Sequence, residues 1–313
     1  MKETPPKICI IQAPCKINLH LKIGEKRPDG FHALESLFAS LALHDTLSFE
    51  NMQALSPGTE NEGECSLTTN WEIPGEPIKN NLVLRAVSLF REAAGFKAPL
   101  RIRLDKRIPT GAGLGGGSSD AASSLLALNL LSGSPLPAEE LEKMAAFLGS
   151  DVPFFLSGGA AHVSSRGEVV KKLKPIENLW VVLVKPPFSS NTAGAFRLFD
   201  RAREHNQEAF PGKAPPEEMS GEKLIKMLEK SPEAWPFYND FLSIFDDPIH
   251  SIIDSLRVKG ASFAGLSGSG TCCFGVYKAK ETAEKAALEL ARPGTFVKFT
   301  FFLAHRVNPV VQL

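Results

Sequence analysis

Five glycines fall within seven residues of the stretch 109–120, which reads P-T-G-A-G-L-G-G-G-S-S-D: Gly111, Gly113, Gly115, Gly116 and Gly117, with Ser118 and Ser119 directly behind them. Backbone without Cβ atoms lets N–H groups close on an anion, because a side chain would hold a phosphate off and forbid positive φ. The chemistry on offer is anion binding at a helix start, where unpaired N–H groups and the positive end of the dipole act together. The two serines add hydroxyls for a phosphate or for its metal. Other chemistry-bearing residues are scattered: Lys16 and Asn18 two apart, His32 after a tight turn, and Asp151 in S-D-V-P-F-F. Each has a bland alternative when taken singly. A lone lysine is more often solvated and a lone histidine more often structural, while an aspartate before an apolar Pro-containing segment is as often a helix cap.

The elements around the glycines favour a site. Residues 100–104, L-R-I-R-L, alternate as a half-buried strand does, and 121–128 read as a helix rich in small residues. Flexible linkers rarely sit between a strand and an apolar helix start. Gly111, Gly113 and Gly116 also satisfy G-x-G-x-x-G, but a dinucleotide site needs an acidic residue about 20 positions on, at a second strand end. That region, 134–140, is S-P-L-P-A-E-E, a helix start. No Gly-Lys-Ser/Thr closes a Walker loop, and neither H-R-D nor D-F-G occurs. A phosphate loop of another type remains.

Further along, residues 8–24 read as a long strand with one face buried, on which Lys16 and Asn18 share a side. R-P-D-G at 27–30 is a turn, and a second strand runs through 47–49. Residues 51–80 are an irregular excursion with a short strand near 65–69. Asn80 and Asn81 cap a helix with an apolar stripe of Leu82, Ala86, Leu89 and Phe90, ended by Gly95. A helix follows over 137–148, then a strand at 158–163 and a turn at 166–168. The second half reads as a strand at 179–184, a short helix capped by Asn191-Thr192, a Pro-rich connection at 206–216 and helices near 220–230 and 241–257. L-S-G-S-G at 266–270 is a second glycine turn, ahead of a strand, a helix at 280–291 and a strand at 295–303. That order suggests an α+β sandwich of the split βαβ kind.

The chain has 313 residues, 43% apolar and 22% charged, with 35 basic against 35 acidic side chains. Zero net charge argues against non-specific nucleic-acid or membrane-surface binding. Cys9, Cys15, Cys65, Cys272 and Cys273 show no C-x-x-C spacing and read as reduced thiols without a zinc site. No apolar run approaches the ~20 residues of a membrane span, and the N-terminus lacks a signal-peptide core, so a cytoplasmic location is expected.

With these blocks in order, the sequence resembles the GHMP small-molecule kinases. Its three motifs stand as A-P-C-K-I-N-L at 13–19, the loop at 109–120, and G-L-S-G-S-G at 265–270. R-P-D-G-F-H at 27–32 and G-S-D-V-P-F at 149–154 narrow the resemblance to the branch acting on a cytidine diphosphate-linked methylerythritol. The resemblance implies a two-domain α+β fold. Residues 1–165 would form a ribosomal-protein-S5-domain-2-like domain and 166–313 a ferredoxin-like sandwich, with the active site between them. It implies ATP as co-substrate, Mg²⁺, and transfer to the 2-hydroxyl of the erythritol part, in non-mevalonate isoprenoid synthesis. Lys16 and Asp151 would be the catalytic pair. Asn81, Lys106, Pro109, Gly111, Gly113, Leu114, Gly115, Gly116, Gly117, Ser118 and Ser119 match the ATP site. Asn18, Phe31, His32, Thr192, Phe196, Gly268 and Ser269 match the substrate end, and Ser118 is the candidate metal ligand.

Phe31 stands where tyrosine is expected, and Asp120 places a charge where a neutral residue is more usual. Phe31 and Phe196 would sandwich the cytosine, while the N–H groups of 113–118 would hold the β-phosphate. Neither nucleic acid nor membrane is an expected partner, and a monomer or weak homodimer is expected. A homoserine- or mevalonate-type kinase and a non-catalytic nucleotide sensor are the alternatives, and the presence of both Lys16 and Asp151 argues against the sensor.

Overall fold

A computed structural model describes residues 7–55, 64–70, 80–133, 136–205 and 221–312. Most of the 51–80 excursion and the 206–216 connection lie outside the described residues. The first half contains β1 (Ile8–Lys26), β2 (His32–Asn51), the short α1 (Met52–Leu55), β3 (Cys65–Thr69), α2 (Leu82–Ala94) and β4 (Leu100–Asp105). Then come α3 (Gly116–Leu131), α4 (Ala138–Leu148), α5 (Val152–Ser157), β5 (Ala160–Ser165) and β6 (Val169–Lys172). The second half contains β7 (Trp180–Lys185), α6 (Thr192–His205), α7 (Gly221–Leu228), α8 (Asp247–Val258), β8 (Phe263–Leu266), β9 (Cys273–Tyr277), α9 (Lys280–Leu290), β10 (Phe296–Phe301) and β11 (Val310–Gln312).

Two sheets result. The larger runs β11-β1-β2-β4-β3, with β5 joined to β2 and β6 to β5. The smaller runs β10-β7-β9-β8 with antiparallel neighbours throughout, the order a split βαβ unit closes into. The first sheet does not stop at residue 165: β6 lies beyond it, and β11 returns to pair with β1 at Ile8–Ile10. β11 drew no expectation, since three residues carry no period to read.

The expected one-sided β1 is buried on both faces from Ala13 to Leu21. Cys9, Ile11 and Ala13 enter a core with α2 and α3, while Cys15, Ile17 and Leu19 enter another with Val181, Leu183 and Phe274 of the second sheet. Lys16 and Asn18, the polar residues between them, are buried as well. α3 explains the small residues behind the glycine loop. Ser119, Asp120, Ala121, Ala122, Ser123 and Ser124 are all buried, and the helix packs against α2, α5 and β1. Small side chains around the whole circumference let a helix sit at the centre of such a layer.

α2 is capped as expected: the Asn81 side chain accepts from the Val83 N–H at 2.9 Å, and Gly95 closes the helix at φ 64°. Its buried stripe is Val83, Ala86, Val87 and Phe90, turned from the expected one so that Leu82 reaches the cleft wall. The helix expected over 241–257 is instead a 3-10 turn, Asp240–Ile244, followed by α8. Asp246 holds extended backbone between them and Pro248 starts the new helix, a break proline favours.

Candidate active site

A cleft of about 1040 Å³ opens where the two glycine turns meet β1. Pro109, Gly111, Gly113, Leu114, Gly115, Gly116, Gly117 and Ser118 line one side, with Asn81 and Lys106 beside them. Lys16, Asn18, Asp151, Thr192, Phe196, Gly268 and Ser269 line the rest. Residues from both halves of the chain thus share one cavity. Ser119 is fully buried and does not line it.

The loop enters α3 through Gly115 at φ 71°, a left-handed conformation that costs glycine little. The first N–H groups of α3 are therefore unsatisfied within the helix and stand at the cleft. Several of these glycines serve packing. A Cβ on Gly113 would lie 2.0 Å from the Ser267 carbonyl oxygen, and one on Gly270 2.1 Å from the Ala112 carbonyl carbon. The two glycine turns are interlocked, with Ser267 Oγ donating to the Gly113 carbonyl at 3.0 Å and the Cys272 N–H to the Ala112 carbonyl at 3.2 Å. Gly115 is hemmed in too, since its Cβ would approach Phe155 at 2.9 Å and Lys16 Cγ at 3.1 Å.

Lys16 is 3% exposed, which removes the solvated-lysine alternative. Its ammonium donates to Asn18 Oδ1 at 2.6 Å, stands 3.4 Å from Asp151 Oδ2, and sits 4.5 Å from the centre of the Phe38 ring. Asn18 is oriented in turn by donating from Nδ2 to Ser36 Oγ at 3.0 Å. Asp151 is the N-cap of α5, yet its side chain makes no capping hydrogen bond. Its carboxylate is committed to the cleft and to Lys16, not to the helix.

Lys106 is held between two acids. Its ammonium donates to Asp120 Oδ2 at 2.7 Å and to Asp45 Oδ2, a second and shorter contact. Burial pulls the Lys106 ammonium down, but Asp120 and Asp45 outweigh it and the net shift is upward. Burial likewise drives the Asp120 carboxyl up to about 7, with Lys106 opposing and Asp45 adding to the rise. Asp45, fully buried on β2, carried no signal in the sequence.

At the far end, Phe196 stacks on His32, with centres 5.4 Å apart and planes at 15°, and meets the Phe241 ring edge to face. His32 is 8% exposed, its Nδ1 on the Gly24 carbonyl at 3.3 Å and its Nε2 3.0 Å from the Asp200 carboxylate. Thr192 Oγ1 accepts from Ser269 Oγ at 3.0 Å, tying α6 to the second glycine turn. Phe31 is 50% exposed, with the Arg166 guanidinium 5.3 Å from its ring centre, and it does not line the cleft. The structure therefore pairs Phe196 with His32 and leaves Phe31 off the cleft wall. A half-exposed ring just past the tight turn at Asp29-Gly30 has little packing to hold it over the cavity.

The chain matches known proteins over most of its length. The descriptions "GHMP kinases N terminal domain" and "GHMP kinases C terminal" match residues 81–159 and 242–295. A 4-diphosphocytidyl-2-C-methyl-D-erythritol kinase of Pelotomaculum thermopropionicum is 36% identical over 291 residues, covering 90% of this chain and 93% of that one. The chloroplastic enzyme of that name from Oryza sativa subsp. japonica is 44% identical over 203 residues, 64% of this chain and 48% of the rice protein. This chain thus spans about half the length of the rice and Arabidopsis thaliana relatives it matches. The crystal structure of a 4-(cytidine 5'-diphospho)-2C-methyl-D-erythritol kinase superposes with a TM-score of 0.70 at 32% identity, covering 93% of this chain and 98% of that one.

Proposed function

This chain belongs to the 4-diphosphocytidyl-2-C-methyl-D-erythritol kinases, a branch of the GHMP kinases, and on that premise we propose that it transfers the γ-phosphate of ATP to the 2-hydroxyl of the erythritol part of that substrate. The step belongs to non-mevalonate isoprenoid precursor synthesis. The observation that carries the reading is the Lys16–Asp151 pair, 3.4 Å apart on the cleft that the glycine loop also lines.

The residues divide the work simply. Phosphoryl transfer passes through a loose transition state, so positioning and charge neutralisation do most of it. The N–H groups from Gly113 to Ser118 and the start of α3 hold the polyphosphate, with Asn81 and Lys106 at its flank. Asp151 accepts the proton of the acceptor hydroxyl. Lys16, fixed by Asn18, keeps the carboxylate aimed and sets a point charge beside the moving phosphoryl group.

Magnesium fits this cleft as an ion carried by the nucleotide. No cluster of three His, Cys, Asp or Glu side chains suited to a metal occurs among the described residues, and Ser118 lines the cleft with a hydroxyl. A hard ion that keeps several waters needs no more protein oxygen than that. When bound, it would neutralise charge on the phosphate oxygens.

The cytidine end lies toward Thr192, Phe196 and Ser269, with Phe196 as the stacking face and His32 packed against it. No described helix is long and apolar enough to cross a membrane, and five free cysteines accompany a cytoplasmic location. Monomer or weak homodimer, with no nucleic-acid or membrane partner, completes the reading.

The test is ADP release with a panel of acceptors: the cytidine-bearing substrate, the same erythritol phosphate without cytidine, homoserine and mevalonate. Turnover of the first alone is expected. Phe196→Ala raises KM for that acceptor about tenfold, the size of one base–aromatic stack, and leaves KM for ATP unchanged. Equal turnover of the acceptor lacking cytidine would overturn the assignment.

A further inference from the structure

Asp45 does not line the cleft, yet three donors from the entrance of the phosphate loop converge on it. The β2–β4 ladder ends at the pair Thr46–Asp105, one residue before Asp45. Beyond that pair the chain leaves the sheet, and its next N–H groups lose the partners a continued ladder would supply. Asp45 Oδ1 replaces them, accepting from the Arg107 N–H at 2.5 Å and the Ile108 N–H at 2.8 Å. Its other oxygen accepts from Lys106 Nζ, which also donates to Asp120 Oδ2 on α3 at 2.7 Å.

We infer that Asp45 is a positioning residue for nucleotide binding, the anchor of a brace that runs Asp45–Lys106–Asp120 and joins the two ends of the phosphate loop. The inference rests on the kinase reading in one respect, that this loop holds nucleotide. One end of residues 109–119 is fixed by the backbone bonds to Asp45, the other by the contact of Lys106 with Asp120. Between them the loop presents N–H groups whose spacing a polyphosphate must match. Asp45 is fully buried and Asp120 is 3% exposed, so water does not loosen either contact. A buried carboxylate with two backbone donors and an ammonium is strongly held, and removing its charge leaves the others under-satisfied. Lys106 is thereby divided between two roles, because it lines the cleft while both acids draw on its charge.

The experiment uses the full chain and two variants. Asp45→Asn keeps an oxygen for the Arg107 and Ile108 N–H groups but turns a neutral amide toward Lys106. Asp120→Leu removes the far end of the brace and leaves Asp45 untouched, so it stands in if Asp45→Asn does not fold. For each folded variant, ADP affinity is read by calorimetry, and KM for ATP and for the acceptor by ADP release. The wild-type protein is measured first. Failure of the wild type to bind ADP would overturn the kinase reading itself. With binding established, each folded variant is expected to lose about tenfold or more in ADP affinity, the worth of one hydrogen bond to a charged group. KM for ATP rises alike, while KM for the acceptor stays within about twofold. A purely structural role would lower the active fraction and leave both KM values alone. Unchanged ADP affinity in a folded variant, or equal rises in both KM values, overturns the inference.

Discussion

The two glycine-rich turns of this protein look alike as sequence and do different work. In the second, 267–270, and at the point of the first that meets it, glycine lets one backbone lie against another: Gly113 against Ser267 and Gly270 against Ala112. At Gly117, in the first turn of α3, glycine instead leaves open space. A Cβ on Gly117 would meet one atom within ordinary contact, Leu82 Cδ1 at 3.7 Å. The same residue type thus closes the protein on itself at one place and leaves it open to the cleft at another. Composition cannot tell the two apart, because what differs is which backbone lies opposite.

The largest effect should come from filling the closed contact. Gly270→Ala places a methyl 2.1 Å from both the Ala112 carbonyl carbon and the Gly113 nitrogen, backbone atoms that have no rotamer to escape into. A stability loss of roughly 3–5 kcal/mol is expected, the range of severe overpacking and strain. A urea midpoint within error of wild type would show that the turns are not truly interlocked.

How much of this was legible beforehand follows the same division. The loop could be read because strand, glycines and helix start are contiguous, and β4 and α3 stand where that pattern put them. Lys16 and Asp151 were weak singly and gained weight from the resemblance; folding places them 3.4 Å apart. Asp45 was invisible. Its partners are 61 to 63 positions away and two of them are backbone N–H groups, which no side-chain spacing records. Phe31 does not stand on the cleft wall with Phe196, since adjacency to His32 does not fix which way a ring past a tight turn will face. The two-sided burial of β1 was hidden as well. Its alternation of apolar and polar residues is the pattern of an exposed face, although Lys16 and Asn18 on that face are buried in the wall of the cleft while Cys15, Ile17 and Leu19 pack against the second sheet.

Between the two extremes of the comparison stands the proposed catalytic pair, Lys16 and Asp151, 3.4 Å apart on the cleft wall. The Lys16 N–H donates to the Leu114 carbonyl at 2.9 Å, so the loop and the lysine are fixed to each other. Asp151→Asn should lower kcat by ~10²–10⁴ while KM values move little, as expected for loss of a general base. Lys16→Ala should cost a similar factor, and the double variant should be no worse than the poorer single one, since groups acting as a unit are not additive. Near-normal turnover by a folded Asp151→Asn protein would remove the carboxylate from the chemistry.

The smallest structural change gives the sharpest test. Gly115→Val would mix two effects, since Gly115 has φ 71° and its Cβ would press on Phe155 and Lys16. Lost nucleotide binding there would not separate a blocked phosphate from a displaced lysine. Gly117→Ala is cleaner. The residue lies in the first turn of α3 with no positive φ and no atom nearer than 3.7 Å to the new methyl. Alanine in a helix is favoured over glycine by up to about 1 kcal/mol, so the urea midpoint should hold or rise slightly. The methyl would nonetheless project from a glycine that lines the cleft, where a phosphate oxygen has to approach the backbone. ADP affinity should fall about tenfold, the worth of one hydrogen bond to a charged group. A variant that keeps both its midpoint and its ADP affinity would place the nucleotide away from this turn and make the first loop, like the second, a matter of packing alone.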